Sequence, residues 1–247
     1  MFGNIEFLLQ QISENDLVVD VGGGHTPIAR ANKVIDRLSY QDYIKAGRQK
    51  EGIGEEHFSE SDWIVMDFNY AKPLPFEDKS VDFVFCSGTL EDLGNPFWLC
   101  SEINRIGKRG YIEIPSRFVE SLKGFEASKP HNIYYAGYYH HRWLIELINN
   151  ELVFTYKTPL LNLNIHAYFT IEEIKDYLAH LRKYWSLAIY WKDHFKFKEN
   201  IIPNEVLGIE KELQEFKKRC LKELENEYTP NNQEVRYGIW GTYIINS

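Results

Sequence analysis

Leu17-Val18-Val19-Asp20-Val21-Gly22-Gly23-Gly24 decides how this chain is read. The β-branched run is short and nearly continuous in its apolar character, the pattern of a buried parallel strand rather than of one with a wet face. It stops on three glycines, which adopt backbone angles closed to other residues and let a ligand come close to the main chain. A turn of this kind lies at the carboxyl edge of a sheet, where open α/β proteins bind their ligands.

Working outward, further short strands follow. Lys33-Val34-Ile35-Asp36 and Trp63-Ile64-Val65-Met66-Asp67 each end in a carboxylate. After the Pro-punctuated turn Lys72-Pro73-Leu74-Pro75-Phe76, Ser80 to Cys86 reads as a fourth strand and Tyr111 to Pro115 as a fifth. Between these two, Phe97 to Ile106 has helical spacing and closes on Gly107-Lys108-Arg109-Gly110, where cations and glycines suit a helix end. Ile5 to Ile12 predicts a short leading helix, and residues 40–60, with Lys45, Gly47, Arg48, Gly52 and Gly54, read as a mobile surface loop. Strands alternating with helical or loop connections predict an α/β fold with a doubly wound, Rossmann-like and mostly parallel sheet.

Beyond Ser116 the pattern changes. His141 to Leu147 and Leu152 to Lys157 predict an antiparallel hairpin across an Asn-rich turn. Thr170 to Leu181 reads as a helix, with Thr170 and Glu173 forming a capping box. Tyr184 to Phe197 suits a strand, and Val235 to Ile245 a closing one. Asn204 to Tyr228 predicts a charged amphipathic helix with Val206, Ile209, Leu213, Phe216, Cys220, Leu221 and Leu224 on one stripe. The expected organisation is a core over 1–160 with a lid insertion about 116–140, and a C-terminal helical extension over 161–247 packed on the core.

Composition narrows the functional class. The 247 residues are 44% hydrophobic and 26% charged, an ordinary globular balance. A net charge of −8 speaks against nucleic acid, whose binding rests on phosphate neutralisation. Aromatic residues make up 15%, which suits either a ring-lined cleft or a ring-rich core. The cysteines Cys86, Cys100 and Cys220 form no CxxC pair, so neither a disulfide framework nor a zinc knuckle is expected and a reducing cytoplasm is the default. No stretch approaches the roughly 18 apolar residues of a membrane span, and the N-terminus lacks a signal peptide's apolar run.

The strand ends specify the ligand. A dinucleotide wants G-x-G-x-x-G, but the third position counted from Gly22 is Pro27, and Asp20 would face a pyrophosphate with the wrong sign. A carboxylate there suits a cation, an ammonium or a sulfonium. Asp36, sixteen residues on, suits a ribose diol. Asp67-Phe68 offers an acceptor for an exocyclic amine beside an aromatic wall, and Cys86-Ser87-Gly88-Thr89 presents small residues where a reacting sulfur would lie. The cofactor-binding set is Asp20, Gly22, Gly23, Gly24, His25, Asp36, Asp67, Phe68 and Ser87.

With these residues in view, the chain resembles the class I S-adenosylmethionine-dependent methyltransferases. Asp20 to Gly24 matches their glycine motif, Leu74 to Val84 their LPFxDxSFDxV stretch, and Glu102 to Arg105 with Lys108 to Glu113 their E-x-x-R segment and following strand. Thr89-Leu90-Glu91-Asp92-Leu93 stands where the class has HVLEH. Lys108 to Ser116, with His141-Arg142-Trp143 and Leu152-Val153-Phe154, is similar to a bacterial subgroup. Two departures are plain: Thr26-Pro27 replaces the third glycine, and Thr89 the histidine.

The resemblance implies in-line methyl transfer from S-adenosyl-L-methionine, leaving S-adenosyl-L-homocysteine, to an O or N nucleophile of a small molecule such as a sugar, amine or secondary metabolite. Where the nucleophile must lose a proton a base is needed, and the segment Glu126 to Trp143 holds His131, His140 and His141 among four tyrosines. His140 or His141 is the expected base; the plainer reading is that His141-Arg142-Trp143 anchors the hairpin. A metal held by His131, His140, His141 and His166 lacks ligand spacing and is not expected. The partners expected are a small-molecule substrate, with neither nucleic acid nor membrane, for a monomer or homodimer. Two other readings stand beside this: a cofactor-binding subunit without catalysis, and a peptide or protein methyltransferase.

Overall fold

The computed structural model describes residues 5–50, 52, 54–125, 134–175, 185–202, 206–227 and 241–246. In chain order the first elements are α1 (Ile5–Gln10), β1 (Val18–Val21), β2 (Lys33–Asp36), α2 (Tyr40–Lys45), β3 (Trp63–Val65), β4 (Phe83–Ser87), α3 (Pro96–Ile106) and β5 (Arg109–Pro115). They are followed by α4 (Arg117–Glu120), β6 (Trp143–Ile148), β7 (Glu151–Tyr156), α5 (Leu160–Leu163) and α6 (Ile171–Ile174). The last are β8 (Ser186–Lys192), β9 (Lys196–Glu199), α7 (Val206–Glu227) and β10 (Gly241–Asn246).

Contacts divide the chain into two compact units: Met1–Ile114 with Ala188–Phe197 and Thr242–Ser247, and Pro115–Leu187 with Lys198–Gly241. The first unit is built on a seven-stranded sheet of order β10-β8-β5-β4-β1-β2-β3. Strands β1 to β5 are parallel throughout. Their order reverses at β1, which makes its carboxyl end the switch point of the sheet. β8 runs against β5, because the Asp193 N–H donates to the Lys108 carbonyl at one end and the Ser116 N–H to the Trp185 carbonyl at the other, both near 2.9 Å. The doubly wound, mostly parallel α/β sheet is therefore present, and two of its strands come from beyond residue 160.

Two expectations are corrected. The antiparallel strand of the main sheet is β8, whereas the 143–156 hairpin belongs to a separate three-stranded sheet, β6-β7-β9. The hairpin itself forms as read: Ile148 pairs with Glu151 across Asn149 and Asn150, whose φ of 51° and 60° are those of a two-residue type I′ turn. Residues 40–60 are not an open loop. Ser39 and Asp42 close a capping box on α2, and Tyr43 is fully buried, stacked 5.4 Å from Trp63 with Phe58 edge-on. The Tyr43 hydroxyl donates 2.6 Å to Glu56, which Arg48 clamps from the other side.

In the second unit α7 buries Leu213, Phe216, Cys220 and Leu224, the centre of the expected stripe. Phe216, Cys220 and Leu224 pack with Phe118, Val119, Phe169 and Ile174, and Leu213 with Leu144, Leu161 and Ala167. Asn204, Tyr228, the second half of the 170–181 helix and the start of the closing strand lie outside the described residues, as does His131.

Candidate active site

β1 through β4 run side by side, so their ends converge on one edge of the sheet. At the end of β1, Gly22 has φ +88° and Gly24 φ +49°. The Gly22 N–H donates to the Ile35 carbonyl at 2.8 Å, which ties the turn to β2. A Cβ on Gly22 would stand 1.9 Å from Thr89 Oγ1, so this glycine is required by the side chain lying on it as well as by its backbone angle. Thr89 is buried and its hydroxyl sits over the turn, 3.4 Å from the Gly22 carbonyl and 3.2 Å from that of Ser87.

Asp20 is buried, and its Oδ2 accepts the Ile28 N–H at 2.7 Å. That bond folds the Gly23–Ile28 segment back over the strand end, so Asp20 shapes the loop, a task its position in the sequence did not reveal. Thr26 and Pro27 fit here: the Thr26 N–H closes a turn on the Gly23 carbonyl, and Pro27 packs beneath Gly23. His25 is exposed on the turn.

At the end of β2, the two Asp36 oxygens divide their work. Oδ1 accepts the Leu38 N–H at 2.8 Å and Oδ2 the Gly24 N–H at 3.1 Å. An ionised carboxylate has about four acceptor positions, so the two backbone bonds fix Asp36 and leave capacity for a diol. Burial is the largest influence on it and pushes its pKa above the ordinary value, against those two hydrogen bonds. At the end of β3, Asp67 Oδ1 caps the turn Phe68–Tyr70 by accepting from Asn69 N and Nδ2 at 2.9 and 3.0 Å. Phe68 is buried beside Trp98, ring centres 6.4 Å apart. Ser87 ends β4, and the next N–H, of Gly88, donates to Glu113 on β5. Cys86 is buried, and its thiol is held well above its usual pKa by desolvation and then by Asp20.

The geometry fits an adenosylated sulfonium better than a dinucleotide: the edge offers carboxylates rather than a helix opening onto glycine amides. Two acids that sequence reading did not single out, Glu91 and Glu113, are also buried in this unit, Glu113 accepting the Tyr111 hydroxyl at 3.1 Å. The E-x-x-R segment proves to be scaffolding. Arg105 donates to the Phe76 and Leu74 carbonyls and to Glu102, which in turn accepts the Leu74 N–H at 2.7 Å, pinning the Leu74–Asp78 turn to α3.

Residues 20–112 match a protein family described as a methyltransferase domain. By that match, the segment is similar to a methyltransferase domain. It runs from the end of β1 into β5, through the parallel part of the sheet, and contains every cofactor-binding residue read from the sequence. Among curated proteins no sequence matches the chain. Solved structures similar to it include a chain of the complex between the Haloferax volcanii Trm112 methyltransferase activator and a methyltransferase, at 21% identity and TM-score 0.31, covering 46% of this chain and 51% of that one. An Aquifex aeolicus SAM-dependent methyltransferase is 18% identical with TM-score 0.29, covering 47% and 66%. An S-adenosylmethionine-dependent methyltransferase from Mesorhizobium loti is 14% identical with TM-score 0.33, covering 47% and 56%. The chain thus spans between half and two thirds of the length of these structures. No helix among the described residues is long and apolar enough to cross a membrane.

The two expected catalytic histidines belong to the second unit. His140 is exposed, its ring 4.5 Å from that of His141. The His141 side chain is 6% exposed, and its Nδ1 lies 2.7 Å from Oε1 of the buried Glu120. The other Glu120 oxygen pairs with Lys157. Glu120 and Lys157 carried no local signal in the sequence, since nothing in a run of neighbours announces that a carboxylate is buried.

Proposed function

We propose that this chain transfers a methyl group from S-adenosylmethionine to an O or N nucleophile of a small molecule. The observation that carries the reading is the convergence of the Gly22–Gly24 turn, Asp36, Asp67-Phe68 and Ser87 on the carboxyl edge of four adjacent parallel strands. Asp36, held by Leu38 and Gly24, is assigned to the ribose hydroxyls. The positive-φ glycine turn gives the methionyl part close access to the main chain, and Phe68 gives the purine a wall. When bound, the cofactor supplies a methyl carbon whose bond to sulfur breaks, with the electron pair staying on sulfur, as the acceptor atom attacks. The domain's own work is alignment and exclusion of water, because the methyl group arrives activated. The acceptor's proton is assigned to an imidazole, that of His141 or His140.

Titration calorimetry tests this directly. S-adenosylmethionine and S-adenosylhomocysteine are expected to bind in the micromolar range, NAD not at all, and Asp36→Ala is expected to lose both adenosyl ligands. Absence of adenosyl binding by the wild-type protein refutes the proposal and leaves a scaffold or partner-dependent subunit. Adenosyl binding with no turnover in a screen of small-molecule acceptors favours a peptide or protein acceptor instead.

A further inference from the structure

Residues 22–32, which join β1 to β2 and are all described, contain no helix. A helix opening from such a turn would aim convergent backbone N–H groups and its dipole at an anion. Here the chain uses most of those groups itself. The Gly22 N–H donates to the Ile35 carbonyl, Gly24 to Asp36, Thr26 to the Gly23 carbonyl and Ile28 to Asp20, at 2.8, 3.1, 2.9 and 2.7 Å. Pro27 has no N–H. Of the described N–H groups of residues 22–28, those of Gly23 and His25 remain for a ligand, and they are not adjacent.

The connection is also locked against winding into a helix. Ile28 and Ala31 are fully buried in a cluster with Leu8, Tyr43 and Phe58. The Ala29 carbonyl accepts the His57 N–H at 2.9 Å, and Arg30 donates to the carbonyls of Ser13, Glu14 and Asp16. Two carboxylates line the turn: a Cβ on Gly23 would stand 3.1 Å from Asp20 Oδ2, and one on Gly24 3.6 Å from Asp36 Oδ2. A ligand carboxylate brought there meets two like charges and two separated amides, whereas an ammonium meets the same acids with opposite sign.

We propose that this site reads its cofactor as an adenosine and does not read the amino-acid carboxylate at the far end. It therefore accepts a further class of ligand, thioethers and sulfoniums of adenosine whose tail ends in an amine and carries no carboxylate. The inference rests on the proposed adenosyl site and deepens it. Recognition lies with Asp36 for the diol and Phe68 for the purine, both outside the turn. The glycines admit the thioalkyl chain because they have no side chains, not because they donate to its end. Asp20 and Asp36 set the sign of the charge that the tail is free to carry.

The test is titration calorimetry of the full wild-type chain with S-adenosylhomocysteine and with its decarboxylated analogue, which keeps the amine, in one buffer. A displacement titration then shows whether the two compete. The expected result is that the analogue displaces S-adenosylhomocysteine and binds either more tightly or no more than about tenfold more weakly. An analogue weaker by more than about tenfold overturns the inference, because the carboxylate is then held, by the Gly23 and His25 amides or by the His25 ring. So does an analogue that binds without displacing S-adenosylhomocysteine. Both of those outcomes leave the methyl-transfer reading standing. Failure of either ligand to bind at all removes that reading and the inference together.

Discussion

Asp36 carries two demands that pull in opposite directions. Burial disfavours its charge, while the Gly24 and Leu38 amides, and the diol it is proposed to bind, favour it. Since its pKa in the folded protein lies above the ordinary value, the folded state keeps this proton over a range where the unfolded chain has lost it. Its stabilising contribution is complete below the unfolded pKa of about 3.9 and is lost as pH rises through the raised value. The difference in unfolding free energy between wild type and the non-titrating Asp36→Asn is therefore expected to move against the wild type as pH rises from about 4 through the raised value. Denaturant midpoints of both proteins across that range measure it; a flat difference would show that Asp36 titrates normally. The identity of Asp36 as a strand-end acid was legible from four residues, Lys33 to Asp36. The Gly24 amide bonding back onto it was not, because that bond depends on β1 and β2 being neighbours.

At the scale of elements, the α3–β5 corner teaches the same lesson. Gly107 and Gly110 read from the sequence as helix-ending glycines, but Gly107 caps α3 in an extended conformation that any residue adopts. Both are glycines because Trp191 of β8 lies on them: added Cβ atoms would meet its ring at 2.8 and 2.9 Å, and at Gly110 also the Val84 carbonyl at 2.3 Å. Trp191 is fully buried, so Trp191→Ala is expected to destabilise the protein by about 3–5 kcal/mol, read as a lower urea midpoint with an unchanged slope. A loss under about 1 kcal/mol would mean that β8 contributes little to the sheet. The strands, α3, the 143–156 hairpin and the centre of α7 were legible as elements, since each is a local period or turn. The α2 helix was missed although Ser39 and Asp42 form a capping box, because charged residues and glycines dominate the stretch that follows.

Across the whole molecule, the three thiols report on the two units separately. Cys86 and Cys100 lie in the first unit and Cys220 in the second, all buried with their pKa values raised first by desolvation. A buried thiol held protonated is a poor nucleophile, so an aromatic disulfide reagent is expected to leave the folded protein unlabelled. In graded denaturant, Cys86 and Cys100 are expected to label together, with Cys220 following its own unit, as mass spectrometry after quenching would read. Rapid labelling of Cys86 without denaturant would contradict the closed packing at the end of β4. What the chain declared by itself was the segment that matches the methyltransferase family: five short strands, their acidic or small-residue ends and the glycine turn. Hydrophobic period, β-branching and glycine act over a few residues, so they survive in one dimension. The tertiary structure alone decided that Thr89 sits on Gly22, that Trp191 lies on Gly107 and Gly110, that the hairpin joins a second sheet, and that Glu120 pairs with both His141 and Lys157. The residue pairs among these are between 21 and 84 positions apart, and a buried charge or a bare glycine is explained only by what the fold brings to it.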